Sequence, residues 1–381
     1  MPGIYLHIPF CHKACSYCDF HFSTNLRKVD EMAVAISKEA VLQKGYFDDR
    51  PTIETIYFGG GTPSLMPAAQ LGGILDILRE TFVVSSAAEI TLEGNPDDLE
   101  AKKLRELHAM GINRLSVGVQ SFSDEDLLLL NRNHNAQQAD RCIKLAQDIG
   151  IDNITLDLIY GIPGSGWKQW QANVDQAIAL QVPHVSAYAL SVEEKTLLHH
   201  QIEKGMVTAE PDATHEAQYF HLIDRLGEAG IEQYELSNFA KPGYKSRHNS
   251  AYWKGIPYLG LGPSAHSFKG KTRTNNVANN AVYLRALDEG RLAIASQETL
   301  SDRDQLNEYL MTQLRIVEGL DLQLLKEKWG FDLLYQEEEL VQEWLSEDLI
   351  RIENNHLRLT RYGFMVSDAV IRELFVVEDE S

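Results

Sequence analysis

Strand and helix alternate through the first two-thirds of this chain, and that rhythm is the strongest constraint on how it can fold. Short apolar, β-prone runs begin near Ile4, Ile53, Glu89, Arg114, Asn153 and His184. Helical patterns fill the intervals at 29–44, 67–80, 99–110, 136–149 and 169–180. In the last of these, Ala172, Val174, Ala177, Ile178 and Leu180 approximate the apolar stripe of a 3.6-residue period. Asp97 or Asp98 stands where it could cap the helix that follows, and Gly111 and Gly150 stand where helix C-caps are expected. Strands separated by one helix each pair in parallel through right-handed crossovers. Six such units predict an α/β fold, either a partial barrel or a doubly wound sheet. Both architectures bind ligands beyond the C-terminal ends of their strands, where the glycine-rich and polar signals of this sequence gather.

Around 190–290 the rhythm breaks into a stretch rich in His, Asn, Tyr and Gly, punctuated by Pro242, Pro257 and Pro263. We read 1–200 as the barrel proper and 201–300 as its completion and cover. From Ser301 two helical runs lead to a hairpin, whose strands 349–353 and 356–360 alternate about an Asn354–Asn355 turn, and then to a last helix. That order predicts a small winged-helix-like domain over 301–381. It carries 8 basic and 19 acidic side chains, whereas a DNA-reading winged helix needs a basic face. A packing or docking role is expected instead, ending in a frayed acidic tail at 376–381.

The whole chain, 381 residues with a formal charge of −20, repels phosphate backbones, so nucleic-acid partners are not expected. No run of about 18 apolar residues occurs to form a membrane span, and the first residues lack the pattern of a signal peptide. The expected location is the cytoplasm, where structural disulfides are rare. The acidic surface disfavours anionic lipid, and peripheral membrane contact stays open only through a membrane-bound partner.

Three of the four cysteines fall within eight residues, as Cys11-x3-Cys15-x2-Cys18 after the first strand. Such thiolates can converge on one small object. Zinc is one candidate, with His12 or His21 as a fourth ligand. An iron–sulfur cluster is the other, and with three cysteines one iron of a 4Fe–4S cluster keeps an open position for a reactant. Cys142, in a helical pattern among apolar residues, reads as core.

Further signals follow at successive strand ends: Gly59-Gly60-Gly61-Thr62, Glu93, Gln120, Arg132 with His134, and Asp157. Each alone has a bland structural reading; five in order point to a site. With Tyr17 just before the last cysteine, the triplet and this series resemble the radical S-adenosylmethionine superfamily. The resemblance implies a partial (β/α)6 barrel in which Cys11, Cys15 and Cys18 ligate a 4Fe–4S cluster. S-adenosylmethionine would chelate the open iron and be cleaved reductively to a 5′-deoxyadenosyl radical. Tyr5, Tyr17, Gly60, Gly61, Thr62, Glu93, Gln120, Arg132 and Asp157 would line its site. One departure is local: the family pattern Gly-Arg-x-His stands here as Asn131-Arg132-Asn133-His134, which bears on the backbone shape before the arginine.

Within that superfamily the chain resembles the coproporphyrinogen III oxidase-like branch, and most the HemW-type heme chaperones. The oxidase pattern continues to a further cysteine where this chain has Phe20, and Arg247-His248-Asn249-Ser250-Ala251-Tyr252-Trp253 matches the chaperone motif His-Asn-x-x-Tyr-Trp. The resemblance implies heme near His248, with His266 a second candidate ligand. A hydrogen-bonded histidine in an aromatic cluster is the structural alternative. The expected function is heme delivery to an acceptor protein, with an electron donor for the cluster. The other readings are oxidative decarboxylation of coproporphyrinogen III and a zinc-stabilised interaction protein.

Overall fold

The computed structural model describes residues 2–376. Six parallel strands, β1 (Gly3–Ile8), β2 (Ile53–Gly60), β3 (Val84–Gly94), β4 (Arg114–Gln120), β5 (Ile154–Tyr160) and β6 (His184–Ala189), lie side by side in chain order. Their connections carry α1 (Val29–Leu42), α2 (Ala68–Thr81), α3 (Ala101–Ala109), the short α4 (Asp124–Leu129), α5 (Ala136–Ile149) and α6 (Gly166–Ala179). The α/β partial barrel expected from the sequence is therefore present. Ile4, Leu6 and Ile8 of β1 and Leu115, Val117 and Val119 of β4 are buried among these helices. Burial of each such side chain stabilises the fold by about 1.5–3 kcal/mol.

Local signals explain most element ends. Asn135 and Gln138 form a reciprocal capping box on α5, and Gly150 closes that helix at φ 97°. Two expectations are corrected. Neither Asp97 nor Asp98 caps α3, whose N-cap is Glu100 without a side-chain bond; Asp98 instead accepts a 2.8 Å hydrogen bond from Ser64. And β3 begins at Val84 rather than Glu89, because its first turnings, Ser85 to Ala87, are partly exposed and show no apolar signal.

The segment 201–300 does more than cover. After α7 (Leu197–Glu203) and α8 (Asp212–Glu228), β7 (Glu232–Gln233) and β8 (Asn238–Ala240) add antiparallel beyond β6. The chain then crosses under the barrel as α9 (Arg247–Trp253). It next lays β9 (Tyr258–Leu261) parallel to β1, followed antiparallel by β10 (His266–Lys269), β11 (Thr272–Asn276) and β12 (Ile294–Thr299). The result is one twelve-stranded sheet extended at both ends of the six-stranded barrel. Before β12, α10 (Asn280–Asp288) packs on α1. That seam is pinned by Glu39, fully buried in α1, whose carboxylate accepts from the Gly262 amide at 2.8 Å, Asn276 Nδ2 at 2.7 Å and the Tyr283 hydroxyl at 2.6 Å.

At the C-terminus, α11 (Asp302–Gln313) and α12 (Leu322–Trp329) flank β13 (Leu320–Asp321). The expected hairpin forms as β14 (Ile350–Glu353) and β15 (His356–Leu359), with Asn354 and Asn355 at φ 50° and 61°. Paired positive φ values are what a two-residue type I′ turn requires. β13 adds to β15, giving a three-stranded sheet among more short helices than the sequence pattern announced. Residues 377–381 of the acidic end lie outside the described residues.

Candidate functional site

The strand ends of the barrel open into a cleft of about 630 Å³. Eleven of the thirteen residues singled out in the sequence line it: Cys11, Cys15, Cys18, Tyr17, Gly60, Gly61, Thr62, Glu93, Gln120, Arg132 and Asp157. All three cysteines are free thiols, partly exposed at its mouth. The loop that bears them is tied down from both sides. Ser16 bonds Leu130 O through its amide at 3.1 Å and Leu129 O through its hydroxyl at 2.9 Å. Tyr17 is wedged against the small apolar cluster of Leu130, Ile159, Ile162, Leu190 and Leu198.

The glycine run after β2 serves this loop as well as the cleft. A Cβ on Gly61 would lie 2.6 Å from Phe10 O, and the Gly61 and Thr62 amides bond Ile8 O at 2.9 Å and Phe10 O at 2.7 Å. Gly60, at φ 110°, has the His7 ring 2.8 Å from where its Cβ would be. Close approach, rather than flexibility, dictates glycine here. Thr62 donates its hydroxyl to Cys11 Sγ at 3.5 Å.

Arg132 joins three walls. Its guanidinium donates to Cys15 Sγ at 3.3 Å, to Asn95 Oδ1 at 2.5 Å and to Gly118 O at 2.7 Å. Asn131 settles the backbone before it: at φ 59° it holds the left-handed conformation that glycine would take, one asparagine tolerates. Its side chain also donates to Ala14 O at 2.6 Å, inside the cysteine loop. His134 is buried against Val119 O at 3.0 Å and acts as a structural brace. Gln120 ends β4 at φ 68°, after a register shift against β5, and this irregularity turns it to the cleft.

Two carboxyls stand deeper. Glu93 accepts from the Tyr57 hydroxyl at 2.8 Å and the Gly60 amide at 3.2 Å. Burial pushes it up to about 7 despite those bonds. Asp157, bonded by the Ser116 hydroxyl at 3.3 Å, is pushed up to about 8 by burial and then by the charge of Glu93. Burial also pushes the Cys11 thiol up to about 11, while the Thr62 hydroxyl pulls it down and the neighbouring cysteines raise it further.

Tyr5 and His248 are not in the cleft. Tyr5 lies inside the barrel, its hydroxyl 3.2 Å from His7 Nδ1. His248 is at the opposite end of the barrel, 2% exposed, stacked on Tyr57 with ring centroids 5.0 Å apart. Its Nδ1 meets the Thr55 hydroxyl at 2.8 Å and its Nε2 the Tyr252 hydroxyl at 2.8 Å. Burial lowers it to about 3, so it is held as neutral imidazole. Without a ligand, His248, expected from the resemblance near heme, has both ring nitrogens engaged within the protein. Sequence reasoning missed Asn95, which bonds both Arg132 and Thr62, and Gly118, where a Cβ would crowd Gln120 at 2.9 Å and Arg132 at 3.1 Å. The signal available for Asn95 was its place two residues past Glu93 at a strand end.

The donor set suits a multi-iron cluster better than a single ion. His12 turns to Asp98 at 3.4 Å and His21 to Asn280 at 2.8 Å, so neither completes a zinc site. Cys11, Cys15 and Cys18 would hold a four-iron cluster with one thiolate per iron, leaving one iron for a small-molecule ligand.

Comparison with known proteins agrees. Residues 5–177 match the family described as the radical SAM superfamily, and 300–366 match the HemN C-terminal domain. A protein named heme chaperone HemW from Bacillus subtilis (strain 168) is 33% identical over 375 residues, covering 97% of this chain and 98% of that one. A second of that name, from Mycobacterium tuberculosis (strain ATCC 25618 / H37Rv), is 36% identical over 377 residues, covering 98% and 94%. The chain belongs to the HemW-type branch of the radical SAM superfamily. Its fold is also that of the coproporphyrinogen III oxidase (HemN) structure from Escherichia coli, with a TM-score of 0.85 at 24% identity over 97% of this chain and 89% of that one. Membership implies the 4Fe–4S cluster and S-adenosylmethionine of this superfamily as cofactors of this chain. No helix among the described residues is long and apolar enough to cross a membrane.

Proposed function

We propose that this chain binds heme and passes it to an acceptor protein, with the cluster and S-adenosylmethionine acting as its redox element. The observation that carries this reading is end-to-end similarity to relatives named heme chaperones. Phe20 supports it: where the oxidase pattern has a further cysteine, this chain presents an apolar ring that is 70% exposed at the cleft mouth.

The division of labour follows the chain. Segment 1–200 holds the cluster through Cys11, Cys15 and Cys18, with Thr62 and Arg132 donating to two of the sulfurs. Bound there, cluster and S-adenosylmethionine supply one-electron reductive chemistry. Around it Gly60, Gly61, Gln120, Glu93 and Asp157 bind the cofactor's polar groups, the two carboxyls offering negative charge to its cationic end as pH rises through about 7 and 8. Tyr17 fixes the loop, and Tyr5 supports the wall beneath through His7. Segment 201–300 completes the sheet and carries the heme-binding side. The acidic segment 301–381 docks the acceptor. The reductant is a separate electron donor, the site of action is the cytoplasm, and membrane contact is made only through a membrane-bound acceptor.

The test is anaerobic reconstitution of the cluster followed by hemin loading and mixing with heme-free acceptor candidates. Retained heme that moves to an acceptor supports the reading. Conversion of coproporphyrinogen III to protoporphyrinogen IX with S-adenosylmethionine and reductant would replace it with the oxidase reading.

A further inference from the structure

A second large groove, about 870 Å³, lies between the extended edge of the barrel and the C-terminal domain. Its size falls within the roughly 300–1,000 Å³ of small-molecule sites. Half-buried rings from both sides line it. Tyr252, Tyr258 and Phe268 come from the barrel side, Tyr252 meeting Tyr258 edge-on at 4.5 Å and Tyr258 lying 6.4 Å from Phe268 at 34°. Tyr309 and Trp329, 4.8 Å apart at 34°, come from α11 and α12. One imidazole among the lining is unengaged. His266 opens β10, is exposed to the groove, and makes no ring-nitrogen hydrogen bond among the described residues. Burial and then the Arg273 charge lower its pKa, while Glu298 pulls the other way. Lys254 and Lys328 add cationic groups to the lining.

We propose that this groove is the heme seat, with the His266 imidazole ligating the iron, the aromatic walls packing on the macrocycle, and Lys254 and Lys328 meeting the propionates. The inference rests on the heme-binding reading above and assigns it a place. The chemistry matches at three points: neutral imidazole is an ordinary axial ligand of heme iron, flat apolar rings stack on aromatic faces, and ammonium groups pair with carboxylates.

The groove also gives the His-Asn-x-x-Tyr-Trp segment a different task. His248 does not face the ligand; its Nε2 holds the Tyr252 hydroxyl at 2.8 Å and so orients a groove wall. Trp253 lines the same groove, and its carbonyl accepts from Gln313 of α11 at 2.7 Å, tying that wall to the C-terminal domain. Arg273 closes the floor by pairing with Glu308 at 2.5 Å. His248 is thus a positioning residue and His266 the ligand.

The experiment titrates hemin into the full-length, cluster-reconstituted chain and into its His266→Ala, His248→Phe and Lys254→Glu/Lys328→Glu variants. Absorption and electron paramagnetic resonance read the iron's ligation. In wild type, hemin binds with an imidazole-ligated spectrum. In His266→Ala that spectrum is lost and binding weakens by at least about tenfold, and added imidazole restores the spectrum. In the double lysine variant, whose exposed positions leave the fold intact, binding weakens while the ligation spectrum stays. His248→Phe keeps the ring stacking, retains imidazole ligation and weakens binding less than His266→Ala does. Wild-type binding with an unchanged His266→Ala spectrum overturns the assignment and leaves the heme reading standing, as does loss of imidazole ligation in His248→Phe alone. Failure of wild type to bind hemin overturns both.

Discussion

Replacing Glu39 with glutamine is expected to change how the stability of this chain depends on pH. Glu39 is fully buried, and its two oxygens take three donors, from Gly262, Asn276 and Tyr283. Burial raises its carboxyl from 4.5 to about 7, although each of those donors pulls the other way. The folded chain therefore holds this proton more tightly than the unfolded chain. That contribution is fully present below about pH 4.5 and is lost as pH rises through about 7, a change of about 3 kcal/mol. Glutamine has the same shape and no proton to lose, so its contribution is flat. It does turn an NH2 group toward one of the three donors, which costs about 1–3 kcal/mol at every pH. Urea unfolding of the cluster-free chain, wild type against Glu39→Gln, at half-unit steps from pH 5 to 9 isolates the effect, because distant titrating groups cancel in the difference. Wild type is the more stable at pH 5, and its advantage shrinks by about 2.5 kcal/mol by pH 8. A difference that stays constant across that range would refute the buried, titrating carboxyl.

Other expectations concern the cysteine loop. Asn131→Gly preserves iron content, whereas Asn131→Val, forced to φ 59°, costs about 1–2 kcal/mol and lowers the iron and sulfide bound after reconstitution. Gly61→Ala places a Cβ 2.6 Å from Phe10 O and costs about 1–3 kcal/mol by overpacking, read as lower cluster occupancy beside a modest fall in Tm. Cys142→Ala, at a buried helix position whose thiol donates to Ala139 O at 3.2 Å, loses about 1 kcal/mol and leaves iron content unchanged, in contrast to serine at Cys11, Cys15 or Cys18. Raising pH from 6 to 9 ionises Glu93 and Asp157, which stand near 7 and 8. The affinity for S-adenosylmethionine, measured by calorimetry, rises over that interval in wild type and rises less in Asp157→Asn.

What was legible in the sequence follows from periodicity and from covalent spacing. The six parallel strands could be read because each is an apolar run bounded by a helix. The cysteine loop could be read because three thiols in eight residues have few other uses. The two short strands β7 and β8 could not, since an element of two or three residues has no period to detect. His248 shows the limit at the site. Its motif is visible, but the partners that occupy its nitrogens, Thr55 and Tyr252, are set by how α9 meets the start of β2. Asn131 shows the opposite case: the departure from glycine looked like a question about backbone shape, and one dihedral angle answers it. Asp98 went to Ser64 rather than to a helix cap because tertiary neighbours compete with local capping.

The position of α9 has a consequence for traffic. Arg247 pairs with Glu54 at 2.6 Å and bonds Ala87 O at 2.8 Å, while the Arg247 and His248 amides bond the Glu89 carboxylate at 3.2 and 3.0 Å. The barrel is thus stoppered at the end where its strands begin. A vessel closed at its base is filled from its rim, so a ligand of the cleft enters and leaves on the side where the strands end.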